Sequence, residues 1–133
     1  MSSTTIRYRD SEFVANDTPI EAWMYEVSCQ IDADAGTDPW LDELREEWRL
    51  QATSGFEFGP CPAFDKFLDT DDRRERLAGY FRKALTTLAQ RGSVIPPEEL
   101  SRSGIGGKEV IYTQGLPIQM VIDVGEQFLA LIS

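Results

Sequence analysis

The densest candidate for chemistry is an acidic run, Asp32-x-Asp34-x-Gly36-x-Asp38, with Glu43 at its twelfth position. An EF-hand calcium loop places oxygen ligands at positions 1, 3, 5, 7 and 12, with a glycine at position 6 for the turn. The spacing agrees, but the chemistry departs at three places. Gly36 stands at position 5, where a side-chain oxygen is wanted, Thr37 stands where the turn needs glycine, and Pro39 begins a helix too early. The run reads instead as an inter-helix linker closed by an N-cap at Asp38, and no metal ligand is assigned. A second run, Gly104-Ile105-Gly106-Gly107-Lys108, combines glycines with a lysine. A phosphate loop needs G-x-x-x-x-G-K-[ST] between a strand and a helix. Here the spacing differs and Glu109 follows the lysine, so the run reads as a turn entering a strand.

The chain has 133 residues and no histidine. That removes Ser-His-Asp and Cys-His catalysis and His-ligated zinc. General acid–base work falls to carboxylates, Lys, Tyr or Cys with shifted pKa values. Asp123 draws attention among Val121, Ile122 and Val124, yet on an alternating strand it faces water. Cys61, in Gly59-Pro60-Cys61-Pro62, has no basic residue near it in sequence and reads as an inert, half-buried thiol. With Cys29 it makes two cysteines, too few for a disulfide framework, and two free thiols in a cytoplasmic protein is the expectation. No catalytic residue and no cofactor are assigned. No apolar run is long enough for a membrane span, and the first residues lack the apolar stretch of a signal peptide.

Charge is distributed unevenly. The net charge is −10. Residues 1–65 hold 14 acidic and 4 basic side chains, while residues 66–133 hold 9 of each, so the excess lies wholly in the first half. Asp42, Glu43, Glu46 and Glu47 would form a negative ridge along one helix if they face solvent. Such a field speeds encounter with a cationic partner and repels nucleic acid. Phe56, Phe58 and Phe64 follow in a Gly- and Pro-rich loop. Phe64 is expected to point inward, and Phe56 and Phe58 are candidate interface anchors. The cluster Arg73, Arg74, Arg76, Arg82 and Lys83 could touch phosphate. Arg73, Arg74 and Arg76 sit, however, in the first turns of the helix, the end whose dipole disfavours cations, and pairing with neighbouring acids or with the acidic helix is the plainer reading.

These groups need elements to position them. Thr18-Pro19-Ile20-Glu21 reads as a helix start, with Thr18 as cap and Glu21 completing a capping box. Ile20, Trp23, Met24, Val27 and Ile31 then make an apolar face. Asp38-Pro39 opens a second helix to about Ala52, with Trp40, Leu41, Leu44 and Trp48 as its stripe. A third runs from about Asp71 to Arg91, capped by Thr70 or Asp69 and stopped by Gly92. Pro96-Pro97-Glu98-Glu99-Leu100 reads as the start of one short helical turn. Residues 1–17 read as a tail or a short strand near Ile6–Tyr8. Beyond Gly107 the expected elements are strands at 110–112, 118–124 and 127–132, with Gly125-Glu126 as a hairpin turn. A single helix from Pro117 is the rival; β-branched content and the internal glycine favour strands.

The expected architecture is one α+β domain over residues 1–133, about three helices followed by a C-terminal antiparallel meander, with the helices on one face of the sheet. The expected function is a non-enzymatic, acidic protein-binding or inhibitor module, of the sort seen in bacterial immunity proteins that neutralise a basic toxin. Asp42, Glu43, Glu46, Glu47, Phe56 and Phe58 would be its contact residues, its partner a basic protein rather than nucleic acid or membrane. The alternatives are a small enzyme or ligand carrier with a carboxylate-lined pocket, and a structural subunit pairing through an edge strand.

Overall fold

A computed structural model describes residues 2–34, 38–55 and 59–133. Among them the chain forms β1 (Ser3–Tyr8), β2 (Ser11–Asn16), α1 (Asp17–Asp32), α2 (Pro39–Thr53), α3 (Phe64–Phe67), α4 (Asp71–Ala89), β3 (Val94–Ile95), α5 (Pro97–Ser103), β4 (Leu116–Pro117) and α6 (Ile118–Ile132). The strands make two separate two-stranded antiparallel sheets, β1–β2 and β3–β4. The expectation of helices followed by a C-terminal meander is therefore overturned. The protein is a mainly helical mixed structure that begins with a hairpin and ends with a helix.

The correction centres on residues 118–132. Ile118, Val121, Val124, Gly125, Phe128 and Ile132 are buried along α6, spaced by three and four. That is a helical stripe, and burial of the stripe outweighs the modest helix penalty of its β-branched members. Gly125 is not a turn residue. A Cβ there would come within 2.5–2.8 Å of three ring carbons of Trp23, so the bare backbone is what lets α6 approach α1. Residues 110–112 form no strand, and Leu116–Pro117 pairs back onto Val94–Ile95. The N-terminal residues are no tail, because β1 pairs with β2 in a register that sets Ile6 opposite Phe13 and Tyr8 opposite Ser11.

Helices α1, α2 and α4 occur where their apolar stripes place them. Asp38 precedes α2 with Pro39 in its first turn, and Thr70 caps α4 by accepting the Arg73 N–H at 3.2 Å. The capping box at Thr18–Glu21 does not form. α1 begins two residues earlier, after Asn16, with no side-chain cap bond, because β2 runs directly into it and the Asp17 N–H donates to the Ser2 carbonyl at 3.0 Å. α1 then packs against α2, α4 and α6. A helix covered on three sides buries residues outside its main stripe, and here those include Glu21 and Ser28.

Aromatic rings fill the space between these helices. The Phe128 ring lies 5.6–6.2 Å, centroid to centroid, from Phe13, Trp23, Trp48, Phe64 and Phe81. Five elements meet at this one side chain. Phe128→Ala should therefore cost about 3–5 kcal/mol of unfolding free energy. Gly125→Ala, which drives a methyl into the Trp23 ring, should cost about 1–3 kcal/mol. Gly79→Ala, in α4 where an added methyl meets nothing within 4 Å, should stabilise by about 0.5–1 kcal/mol. Denaturant melts of the three variants check the order.

Candidate functional site

The candidate face is the outer side of α2. Leu41, Leu44, Trp48 and Ala52 are its buried stripe. At 3.6 residues per turn, Asp42, Glu43, Glu46 and Glu47 fall on the opposite side of the helix. Glu43 and Glu46 are exposed, and Asp42 and Glu47 are half-buried. The ridge is contiguous but not bare. Lys66, from α3, sets its Nζ 3.0 Å from Glu43 and 3.4 Å from Glu47. Arg45 lies 3.5 Å from Glu46. The Lys66 ammonium keeps its proton more tightly than usual, chiefly through its hydrogen bond to Glu43. Exposed pairs of this kind are weak and are screened by salt. Phe56 and Phe58 lie outside the described residues, so their place relative to this face is not described. Phe64 points inward as expected and touches the rings of Tyr8 and Trp48.

Asp32, Asp34 and Asp38, which flank the α1–α2 linker, are engaged internally. Asp32 accepts from Arg45 at 2.8 Å and from Arg49 at 2.6 Å. Its partial burial pushes the carboxyl pKa up, and these two hydrogen bonds overcome that and hold it below the usual range. Arg49 also donates to the buried Ser28 hydroxyl at 3.0 Å, which ties α2 to α1. Asp34 accepts from the Tyr80 hydroxyl at 2.7 Å and lies 3.5 Å from Lys83. That hydroxyl holds the Asp34 pKa down. Desolvation first, and then the Asp34 carboxylate, push Tyr80 up to about 12. Asp38 pairs with Arg76. The carboxylates at calcium-loop spacing thus face arginines, lysine and tyrosine, not one another. Among the described residues no group of three acids or cysteines could hold a metal ion.

The basic cluster of α4 is engaged in the same way. Arg73 lies 3.6 Å from Asp69 and stacks over Trp40 at 4.9 Å, and Arg74 pairs with Asp71. Its longer reach is to the acids that flank the α1–α2 linker, which leaves the outer acids of α2 to Lys66 and Arg45. The Gly104–Lys108 turn closes the end of α2: the Gly106 N–H donates to the Ala52 carbonyl at 2.9 Å, and Ile105 is buried. Asp123 faces water as expected, though from a helix, and accepts from Gln119 at 2.8 Å. Both cysteines are free; Cys61 is exposed, not half-buried as expected, while Cys29 is half-buried and burial pushes its thiol up. No helix among the described residues is long and apolar enough to cross a membrane.

No family model matches the chain, and no match to it is found among curated proteins or solved structures.

One group escapes the sequence reading. Glu21 is 7% exposed, and among the described residues its carboxyl has no cation beside it. Burial first, and then the nearby Asp17 carboxylate, raise its pKa from 4.5 to about 7. Asp17 itself accepts from the Thr4 hydroxyl at 2.5 Å. Above Glu21 sit the Gly106 turn and Tyr112, whose hydroxyl donates to the Ile105 carbonyl at 2.7 Å. Burial and the Glu21 charge push that phenol up too. A carboxyl this enclosed offers a substrate little surface. Its consequence is for stability. The folded state holds the Glu21 proton more tightly than the unfolded chain does. The stabilisation is complete below 4.5 and is lost as pH rises to about 7. Glu26, also raised by burial, adds to the same slope. Glu21→Gln should flatten this pH dependence and should be about 2 kcal/mol more stable than the parent chain at pH 8. Thermal or urea melts from pH 4.5 to 8 measure it.

Proposed function

We propose that this chain is a protein-binding module, of the inhibitor or immunity type, that offers the outer face of α2 to a basic protein. One observation carries the reading. Asp42, Glu43, Glu46 and Glu47 share the side of α2 opposite its core stripe, and Glu43 and Glu46 are exposed there. The net charge of −10 supplies a long-range field of the right sign.

The mechanism follows from that charge. A field of this kind steers a cationic surface toward α2 and acts mainly on the association rate. Lys66, Arg45 and the helix backbone hold the carboxylates in a fixed row, so that they meet the partner already ordered. Exposed charges of this type set register and salt dependence. Short-range affinity then has to come from apolar contacts at the edge of the face, where Leu50 stands 55% exposed. If the partner is a toxin, occlusion of its basic surface is the inhibitory act.

The test starts from a partner captured from the native cells and identified by mass spectrometry. The chain carrying Asp42→Asn with Glu43→Gln, Glu46→Gln and Glu47→Gln should associate with it at least about tenfold more slowly at low salt, with a flatter salt dependence. Equal association rates and equal salt slopes for the two chains would overturn the reading, as would a captured partner that is itself acidic.

A further inference from the structure

The exposed edge of β1 is the feature that the acidic face leaves unexplained. The loop between β1 and β2 has two residues, Arg9 and Asp10, and Arg9 adopts a φ of 56°. In such a hairpin the residues flanking the loop, Tyr8 and Ser11, form a hydrogen-bonded pair, and the pairs alternate from there. Ile6 with Phe13 and Thr4 with Ala15 are then the next bonded pairs in this register. Thr5 and Arg7 direct their N–H and C=O groups the other way, off the sheet. Among the described residues nothing bonds to those four groups.

They open into a groove of about 370 Å³. Its far wall is the chain from Pro60 to Asp65. That wall runs beside β1 from end to end. Gly59 sits against Thr4, the Tyr8 ring meets Phe64 at 5.6 Å, and the Tyr8 hydroxyl donates to the Leu68 carbonyl at 3.2 Å. The wall is pinned to α2 by the Trp48 indole N–H on the Pro62 carbonyl at 2.8 Å and by the Cys61 N–H on Gln51 at 2.9 Å. Pro60 and Pro62 have no N–H, and the Cys61 N–H is already used. Along Pro60–Pro62 the free backbone donors therefore come from β1.

We propose that this groove takes an extended, basic peptide segment of a partner, added antiparallel or parallel to β1 as a third strand. Backbone groups in strand register recognise another extended backbone. The walled shape selects a single strand. A second copy of this chain would bring its own β2 ladder, on the side where Pro60–Asp65 stands. Charge selects the sign. Arg7 is paired with Glu12 at 3.5 Å, whereas Asp65 is exposed and has no ion pair among the described residues. A lysine or arginine of the incoming strand meets that carboxylate. The groove does not depend on the acidic face of α2 being a binding surface, and the test below reads the two apart.

A random dodecapeptide display library, panned against the full chain, is the probe. Selected peptides should be rich in Lys or Arg and in β-forming residues. On binding they should slow hydrogen exchange at the Thr5 and Arg7 amides, which exchange freely in the unliganded chain while Ile6 and Tyr8 are protected. Thr5→Pro and Arg7→Pro remove outward N–H groups without touching a ladder bond, and each should weaken binding by about tenfold. The Glu/Asp-to-amide variant of α2 should bind the same peptides as the parent chain. Failure to select peptides, selected peptides that protect other amides, or affinities unmoved by both prolines would overturn the proposal. So would a dimer in light scattering whose formation protects Thr5 and Arg7. If either proline variant fails to fold, the exchange pattern of the parent chain with peptide still decides.

Discussion

The structure depends on one insertion: the Phe128 ring placed among Phe13, Trp23, Trp48, Phe64 and Phe81. Aromatic rings prefer edge-to-face contacts, and most of the pairs in this cluster adopt them. For Phe128 to reach the middle, residues 118–132 must be helical and must lie close to α1. The second condition is met at Gly125, where the Trp23 ring occupies the space a side chain would take. Among the described residues the indole N–H of Trp23 has no hydrogen-bond partner. A buried donor left unsatisfied is costly, and the fold tolerates it because the same ring contacts Phe81 and Phe128.

Once the helices are fixed by that cluster, the charges sort themselves by reach. Arg45 and Arg49 bind Asp32 and so clamp α2 to α1. Arg76 and Lys83 bind Asp38 and Asp34 at the two described ends of the α1–α2 linker. Each of these residues sits where a side chain of opposite sign can be met by a neighbouring element. Of the acids on the far side of α2, Glu43 and Glu47 meet Lys66 of α3, and Glu46 meets Arg45 of its own helix. They owe their outward position to the same stripe that buries Leu41, Leu44 and Trp48. A hydrophobic requirement thus produces a charged surface as its complement.

Much of this was legible in the chain itself. The stripes of α1, α2 and α4 follow from three- and four-residue spacing, and Asp38-Pro39 and Thr70 mark two helix starts by local chemistry. The misreadings share a cause: tertiary contacts that local pattern does not carry. Gly125 looks like a hairpin residue until a tryptophan 102 positions earlier is known to lie against it. Glu21 fits a capping box until β2 is seen to run straight into the helix and α1 to be covered on three sides. The negative face of α2 was readable from periodicity alone. Lys66 as its counter-ion was not, because α3 sits beside α2 only through the turn that follows it. The open edge of β1 was out of reach for the same reason, since residues 1–17 pair only with themselves and show no sustained period.

The place of Phe128 in the chain has a consequence for how the molecule comes into being. Translation proceeds from the N-terminus, and the helix that carries this ring leaves the ribosome after the segments that carry its five aromatic neighbours. Until then Phe13, Trp23, Trp48, Phe64 and Phe81 lack their common neighbour, although the segments bearing them have already emerged. Contacts that join residues so distant in sequence form slowly, and sticky surface displayed meanwhile is what chaperones recognise. The five rings therefore reach their final packing only once Phe128 has been made.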